Sequence, residues 1–305
     1  MREEISGIGR GEESLMGVLP ERILLATDGS EDAERATMAA LDLTGHSGAE
    51  LHVVHVWHDV RGFARDFVKR ELRSRGQEVL DGQVEKIEAA GGEVARAHLR
   101  AGRTSDEVIA LGEEIGAGLL VVGSRGLGTV RRILMGSQSE EIVHHAQVPV
   151  LVLGGADGSW PPERILIGED FSDDARRAGE LAAAIGKLYG AGGLIVLSHP
   201  DLPEIPPGDT RSAVRNLVDM RERDEKMLDD RAGELERFLG AKPEVRLSGD
   251  YPARVLLDAS QEVRPTLVAV GSRGRAGIAR TRLGSVSTKV VTAAPGPVLV
   301  YPHVD

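Results

Sequence analysis

A chain of 305 residues, 41% hydrophobic and 28% charged, has the make-up of an ordinary globular protein, and its length suits two domains of roughly 150 residues better than one. With no cysteine it has neither disulfides nor thiolate metal sites, and its net charge of -11 argues against broad nucleic-acid binding, which needs Lys and Arg turned to phosphates. A core with only 3% aromatic residues must be built of Val, Ile, Leu and Ala, and the expected setting is a reducing cytoplasm.

In chain order, residues 1–19 read as a polar tail without the apolar stretch of a secretion signal, and no later run is long enough to span a membrane. The first apolar run, 23–27, ends at Asp28, after which Ser and acidic residues open a helix. Further strand-like runs lie at 51–56, 94–100, 119–122 and 150–153, each separated by helical sequence. "GGADGSWPPE" then has the composition of a linker, and a second series of runs follows at 165–168, 194–198, 244–247, 267–270 and 298–301. Segment 211–239 carries Val214, Leu217, Val218, Leu228, Leu235, Phe238 and Leu239 at helical spacing and is expected to lie on the sheet as an amphipathic helix. Uninterrupted apolar runs between helices are the pattern of buried parallel strands. The expected fold is α/β: two duplicated doubly wound domains, 20–154 and 162–305, each a five-stranded parallel sheet with helices on both faces.

The duplication is visible in the letters. "RILLATDGSEDAERA" is answered by "RILIGEDFSDDARRA", so that Asp28 and Asp170 end equivalent strands. "VPVLVL" is answered by "GPVLVY". These last strands read as sheet edges that satisfy one another within the chain, and a homodimer of chains through the same terminal strands is a further expectation. Residues 123–139 and 271–287 share eight of seventeen identities, with three arginines in residues 123–137, four in 271–285, and no carboxylate in either stretch.

Each of these stretches starts where an apolar strand stops, which is where open parallel sheets bind ligands. Gly123 and Gly126 are expected to bring backbone amides to an anion without a Cβ in the way. Gly136 and Ser137 open the next helix, with Ser137 expected as its N-cap, and a helix N-terminus attracts phosphate. Arg125, Arg131 and Arg132 add positive charge. The second half repeats the pattern with Gly271, Gly274, Gly284, Ser285, Arg273, Arg275, Arg280 and Arg282.

The spacing G-x2-G-x9-G-[ST], met by Gly123/Gly126/Gly136/Ser137 and by Gly271/Gly274/Gly284/Ser285, resembles the ATP-binding motif of universal stress proteins. The opening "ILLATDGSEDAERA" and the closing "PVLVL" are similar to that family as well, and the resemblance runs over residues 20–303 as a tandem two-domain member. It implies ATP with its phosphates on the glycine loop, Asp28 near the nucleoside and the backbone of Val56 meeting adenine. Asp170 and His199 would take the places of Asp28 and Val56 in the second half. Mg²⁺ or Mn²⁺ would enter only as companion of the triphosphate, with no protein cage. The implied role is a nucleotide-dependent stress-response or signalling module; the rivals are a slow ATPase using the same pocket and a nucleotide-free docking module. Glu169, Phe171 and His199 depart from Thr27, Gly29 and Val56, and an extra carboxylate at Glu169 is expected to weaken ATP in the second half.

Other features carry no chemistry on this reading. His52, His55 and His58 face alternate sides of one strand and do not form a metal triplet. His144 and His145 suit a helix C-terminus. No G-x-S-x-G elbow, HExxH or GxxxxGK[ST] motif occurs, and no catalytic residue is assigned.

Overall fold

Ile23–Leu25 and Leu119–Val122 are apolar at every position, so both faces of these strands need cover. The computed structural model, which describes residues 17–58, 66–125, 135–154, 159–198, 210–274 and 283–303, supplies it. The first half runs β1 (Arg22–Ala26), α1 (Glu31–Ser47), β2 (Glu50–Trp57), α2 (Asp66–Ala89), β3 (Arg96–Ala101), α3 (Thr104–Ile115), β4 (Leu119–Gly123), α4 (Ser137–His145) and β5 (Val150–Leu153). The second runs β6 (Arg164–Glu169), α5 (Asp173–Leu188), β7 (Gly192–Ser198), α6 (Thr210–Leu239), β8 (Glu244–Ser248), α7 (Pro252–Ala259), β9 (Thr266–Gly271), α8 (Ser285–Ala293) and β10 (Val298–Tyr301). Every expected strand is present, with ends moved by two residues or fewer.

Within each half the strands are parallel, and β5 and β10 pair antiparallel, so the strand order is β3-β2-β1-β4-β5-β10-β9-β6-β7-β8 in one ten-stranded sheet. The expected pairing of the two terminal strands inside the chain joins the two half-sheets. It also corrects the expectation of a homodimer through those strands. Each already has a hydrogen-bonded neighbour on both sides, β4 and β10 for β5, β9 and β5 for β10. Among the described residues the edges of the sheet are β3 and β8.

Alternate strand residues feed two cores. Ile23, Leu25, Ile165 and Ile167 pack with α1, α2, α5 and α6 on one face, while Leu24, Val54, Leu166 and Val196 pack with α3, α4, α7 and α8 on the other. Both cores run through the two halves without a break. In α6, Leu228, Leu235, Phe238 and Leu239 are buried but Val218 is 49% exposed. Only the C-terminal half of that helix lies on the sheet, contrary to expectation; the side chain of Val214 is outside the described residues.

Candidate functional site

The C-terminal ends of β1, β2 and β4 open into a cavity of about 610 Å³. Asp28, Val56, Gly123, Arg125, Gly136 and Ser137, all expected site residues of the first half, line it together. One wall is the end of β2, Val54 to Trp57 with His58 beyond it; a second is Leu72, Arg75, Gly76 and Val79 of α2; a third is the first turn of α4 with Gln138 and Ser139. Gly126, Arg131 and Arg132 lie outside the described residues.

The β1–α1 turn is built by its own side chains. Asp28 Oδ1 accepts from the N–H of Ser30 at 3.0 Å, and Ser30 caps α1 by accepting from the N–H of Ala33 at 3.2 Å. Ser30 Oγ also donates to the carbonyl of Arg125 at 3.1 Å, tying the glycine loop to the cap. Asp28 therefore shapes the helix entry and lines the cavity at once.

The glycines of the motif differ in what requires them. A Cβ on Gly123 would lie 2.7 Å from the carbonyl carbon of Asp32 and 2.8 Å from the nitrogen of Ala33. Gly123 is needed so that β4 can end against the first turn of α1, a requirement that holds without any ligand. Gly136 is another case: with φ -79° and ψ 148° its backbone suits any residue. It is also the N-cap of α4, without a side-chain cap bond, and Ser137 is the first helical residue rather than the cap. The first-turn N–H groups of α4 have no partner within the helix, and Gly136, Ser137, Gln138 and Ser139 line the cavity.

Arg125 is partly spent before any ligand arrives. Its Nε donates to Asp32 Oδ2 at 2.8 Å, and Ser124 Oγ donates to the same oxygen at 2.7 Å. Burial would raise the Asp32 pKa, but the bonds from Arg125 and Ser124 outweigh it and hold the carboxyl below its ordinary range. Arg125 thus contributes less positive charge to the cavity than the sequence suggests.

The second half repeats the frame. Asp170 Oδ1 accepts from the N–H of Ser172 at 3.0 Å, and Ser172 Oγ donates to the carbonyl of Arg273 at 3.4 Å. Gly271 presses on the first turn of α5, where a Cβ would meet the Ala175 nitrogen at 2.7 Å. Gly284, φ -69° and ψ 157°, caps α8 without a side-chain bond, so Ser285 is again the first helical residue and not the cap. A Cβ on Gly274 would lie 2.5 Å from Asp170 Oδ2, placing that loop directly on the carboxylate. Arg275, Arg280 and Arg282 are outside the described residues.

Two expectations about the second half are corrected. The registers set Ala26 beside Val54 and Gly168 beside Val196, so the counterpart of Val56 is Ser198, not His199, which is outside the described residues. Glu169 does not add charge near a ligand. Its side chain is 1% exposed and 3.2 Å from the Nε of Arg231, itself 6% exposed. Burial raises its pKa, while the N–H of Phe171 and Arg231 pull against the rise.

Sequence reasoning missed Ser139 and Ser287, whose Oγ atoms donate to the carbonyls of Gly123 and Gly271 at 2.7 and 2.6 Å and fix each helix start against its strand end. It also missed Asp32, and Asp174, whose Oδ1 is 3.0 Å from Nδ1 of His303. The repeated "GSxS" and the acids after Ser30 and Ser172 were the available signal. Of the three histidines on and beyond β2, His52 Nδ1 is 3.1 Å from His98 Nε2, His55 Nδ1 is 2.8 Å from the carbonyl oxygen of Thr27, and His58 lines the cavity. Among the described residues no three of His, Asp and Glu are grouped to hold a metal ion.

The sequence profile of the universal stress protein family matches residues 20–154 and again 162–302. A universal stress protein of Mycolicibacterium smegmatis is 34% identical over 188 residues, 60% of this chain and 61% of that one. One from Thermus aquaticus is 36% identical over 134 residues, 43% of this chain and 96% of its own. The crystal structure of a universal stress protein from Archaeoglobus fulgidus has a TM-score of 0.64 at 26% identity, covering 93% of this chain and 97% of that one. A putative universal stress protein from Pseudomonas aeruginosa shares the fold with a TM-score of 0.63 at 18% identity. With both halves matched, each carrying the same strand-end aspartate and glycine-capped helix, the chain belongs to the universal stress protein family as a tandem-domain member.

Proposed function

We propose that the protein binds ATP, at most one per domain over 20–154 and 162–305, and acts as a nucleotide-dependent stress-response or signalling module in the cytoplasm. The observation that carries this is the uncapped N-terminus of α4, with a glycine whose backbone does not need to be glycine, opening into a cavity of about 610 Å³. Cavities of that size suit a nucleotide-sized ligand. The phosphates would lie on Gly136 and Ser137, Asp28 would face the nucleoside, and the backbone of Val56 would meet the base. A divalent ion would ride on phosphate oxygens rather than on a protein cage. No helix among the described residues is long and apolar enough to cross a membrane.

Nucleotide released by acid denaturation of the purified protein, identified by chromatography, tests the reading. Gly136→Val should keep the fold and abolish calorimetric ATP binding in the first half. Protein that carries no nucleotide and shows no thermal shift with millimolar ATP would overturn the proposal in favour of an empty docking module.

A further inference from the structure

In the first half α2 walls the cavity, and the chain is glycine at two points of contact beneath it. Gly29, at φ +75°, lies beneath α2: a Cβ there would be in contact with Val79 Cγ1 at 3.6 Å. Gly76 is buried, and a Cβ there would lie 3.1 Å from Trp57 Cβ and 3.3 Å from both His55 Cδ2 and Leu99 Cδ1. Gly76 lets the helix wall sit directly on the end of β2.

The second half fills both points. The repeat sets Phe171 opposite Gly29. The buried pairs set α6 against α2: Thr27 Oγ1 donates to Gln83 Oε1 in the first half, and Arg231 pairs with Glu169 at the same place in the second. Counting back along each helix puts Asp224 at the position of Gly76, and Met220 and Met227 at those of Leu72 and Val79. Phe171 keeps the left-handed backbone of its glycine counterpart, φ 60°, an outlier for so bulky a residue. It is held there by Glu169 Oε1, which accepts from the N–H groups of Asp170 and Phe171 at 3.0 and 2.7 Å. Its ring packs into the core on the α6 side. Leu72 and Val79 are half-buried in their wall, whereas Met220 and Met227 are 37% and 36% exposed in theirs.

Resting on the ATP reading above, we infer that the nucleoside binds in the first half alone, and that Phe171 and Asp224 are the residues that deny it to the second. The described strand-end and helix-start frame of the second half repeats that of the first, but the helix that would cover the nucleoside has a phenylalanine ring beneath it, where the first half has glycine, and carries a carboxylate at the position of Gly76.

Calorimetric titration of the full chain with ATP and Mg²⁺ tests this. One equivalent per chain is expected, and none in Gly136→Val, whose fold is checked by its unfolding transition. Phe171→Gly combined with Asp224→Gly should raise the count to two. Two equivalents in the unaltered chain, or one surviving Gly136→Val, would overturn the inference while leaving ATP binding in place. A count that stays at one in the double variant would remove Phe171 and Asp224 as the cause. No binding to the unaltered chain at any concentration would overturn the ATP reading itself, and this inference with it.

Discussion

Gly123 and Gly136 belong to one sequence motif, yet they fail in different ways when a side chain is added. Gly123→Ala drives a methyl to 2.7 Å from the backbone of α1, so either β4 or the helix must move. Overpacking of that kind should cost about 3 kcal/mol in a urea unfolding experiment, whereas Gly136→Val should leave stability within about 1 kcal/mol, because its φ of -79° is ordinary. Equal losses would remove the distinction between a packing glycine and a ligand-facing one. His98 offers a second test. Burial first, then the charges of His52, Arg96 and Arg100, lower its pKa from 6.5 to about 4. A folded pKa below the unfolded one means stability is full above pH 6.5 and is lost as pH falls towards 4. At pH 5 that loss is about 2 kcal/mol, and His98→Asn should remove this part of the pH slope between 7 and 5. A variant with the wild-type slope would show that His98 is protonated freely in the folded protein. The motif residues were legible in the sequence because they recur. What each glycine does was not, because the neighbour that decides it, the first turn of α1 or of α5, is distant along the chain.

Strands were the most legible elements, since an apolar residue at every position leaves no face for water and fixes type without reference to partners. Helix starts were less so. Ser137 and Ser285 look like caps in the sequence, but the turn places the preceding glycine at the cap and spends the serine two residues later on the strand carbonyl. The α2 and α6 helices show a further limit: their apolar spacing is similar, while the polar group that anchors each to its sheet has been exchanged as a set. In the first half Gln83 bridges Thr27 and Thr37. In the second, Arg231 bonds Glu169, and Gly179, in the place of Thr37, leaves room for it, since a Cβ there would lie 3.3 Å from the guanidinium. Glu169→Thr alone should cost about 2 kcal/mol, because it takes the buried carboxylate from Arg231 Nε and leaves the guanidinium its bonds to Glu234 and to the carbonyl of Arg176. Adding Arg231→Gln and Gly179→Thr rebuilds the neutral network of the first half and should recover most of the loss, as measured by unfolding midpoints. A triple variant no more stable than the single would show that the two networks are not interchangeable.

The two halves are joined by a pairing that is symmetric in its own register. Val150 faces Val300, Leu151 faces Leu299 and Val152 faces Val298, so the repeat places equivalent residues at equal distances from the Leu151–Leu299 pair. A pairing with that pseudo-two-fold is self-complementary, and two copies of one half could make it as well as one copy of each. The link between halves adds contacts that lack this symmetry. Trp160 Nε1 donates to Asp42 Oδ2 at 2.9 Å, its ring stands edge-on to Tyr189 at 5.6 Å, and Tyr189 in turn meets His46 at 5.0 Å. Burial, with Asp42 beside it, raises the pKa of the Tyr189 hydroxyl, so the cluster stays neutral at that ring. Residues 20–158 expressed alone lose the Trp160 cluster and expose β5, an apolar strand with one side of its ladder open. Such a half should associate with itself through β5, giving twice its mass by light scattering at micromolar concentration, and should dissociate on dilution more readily than the tandem chain comes apart. Substituting Pro for Val152 removes a ladder donor at that edge and should shift the half towards monomer. A half that is well folded and monomeric without that substitution would mean the β5–β10 pairing follows from the link between domains and is not a stable interface in its own right.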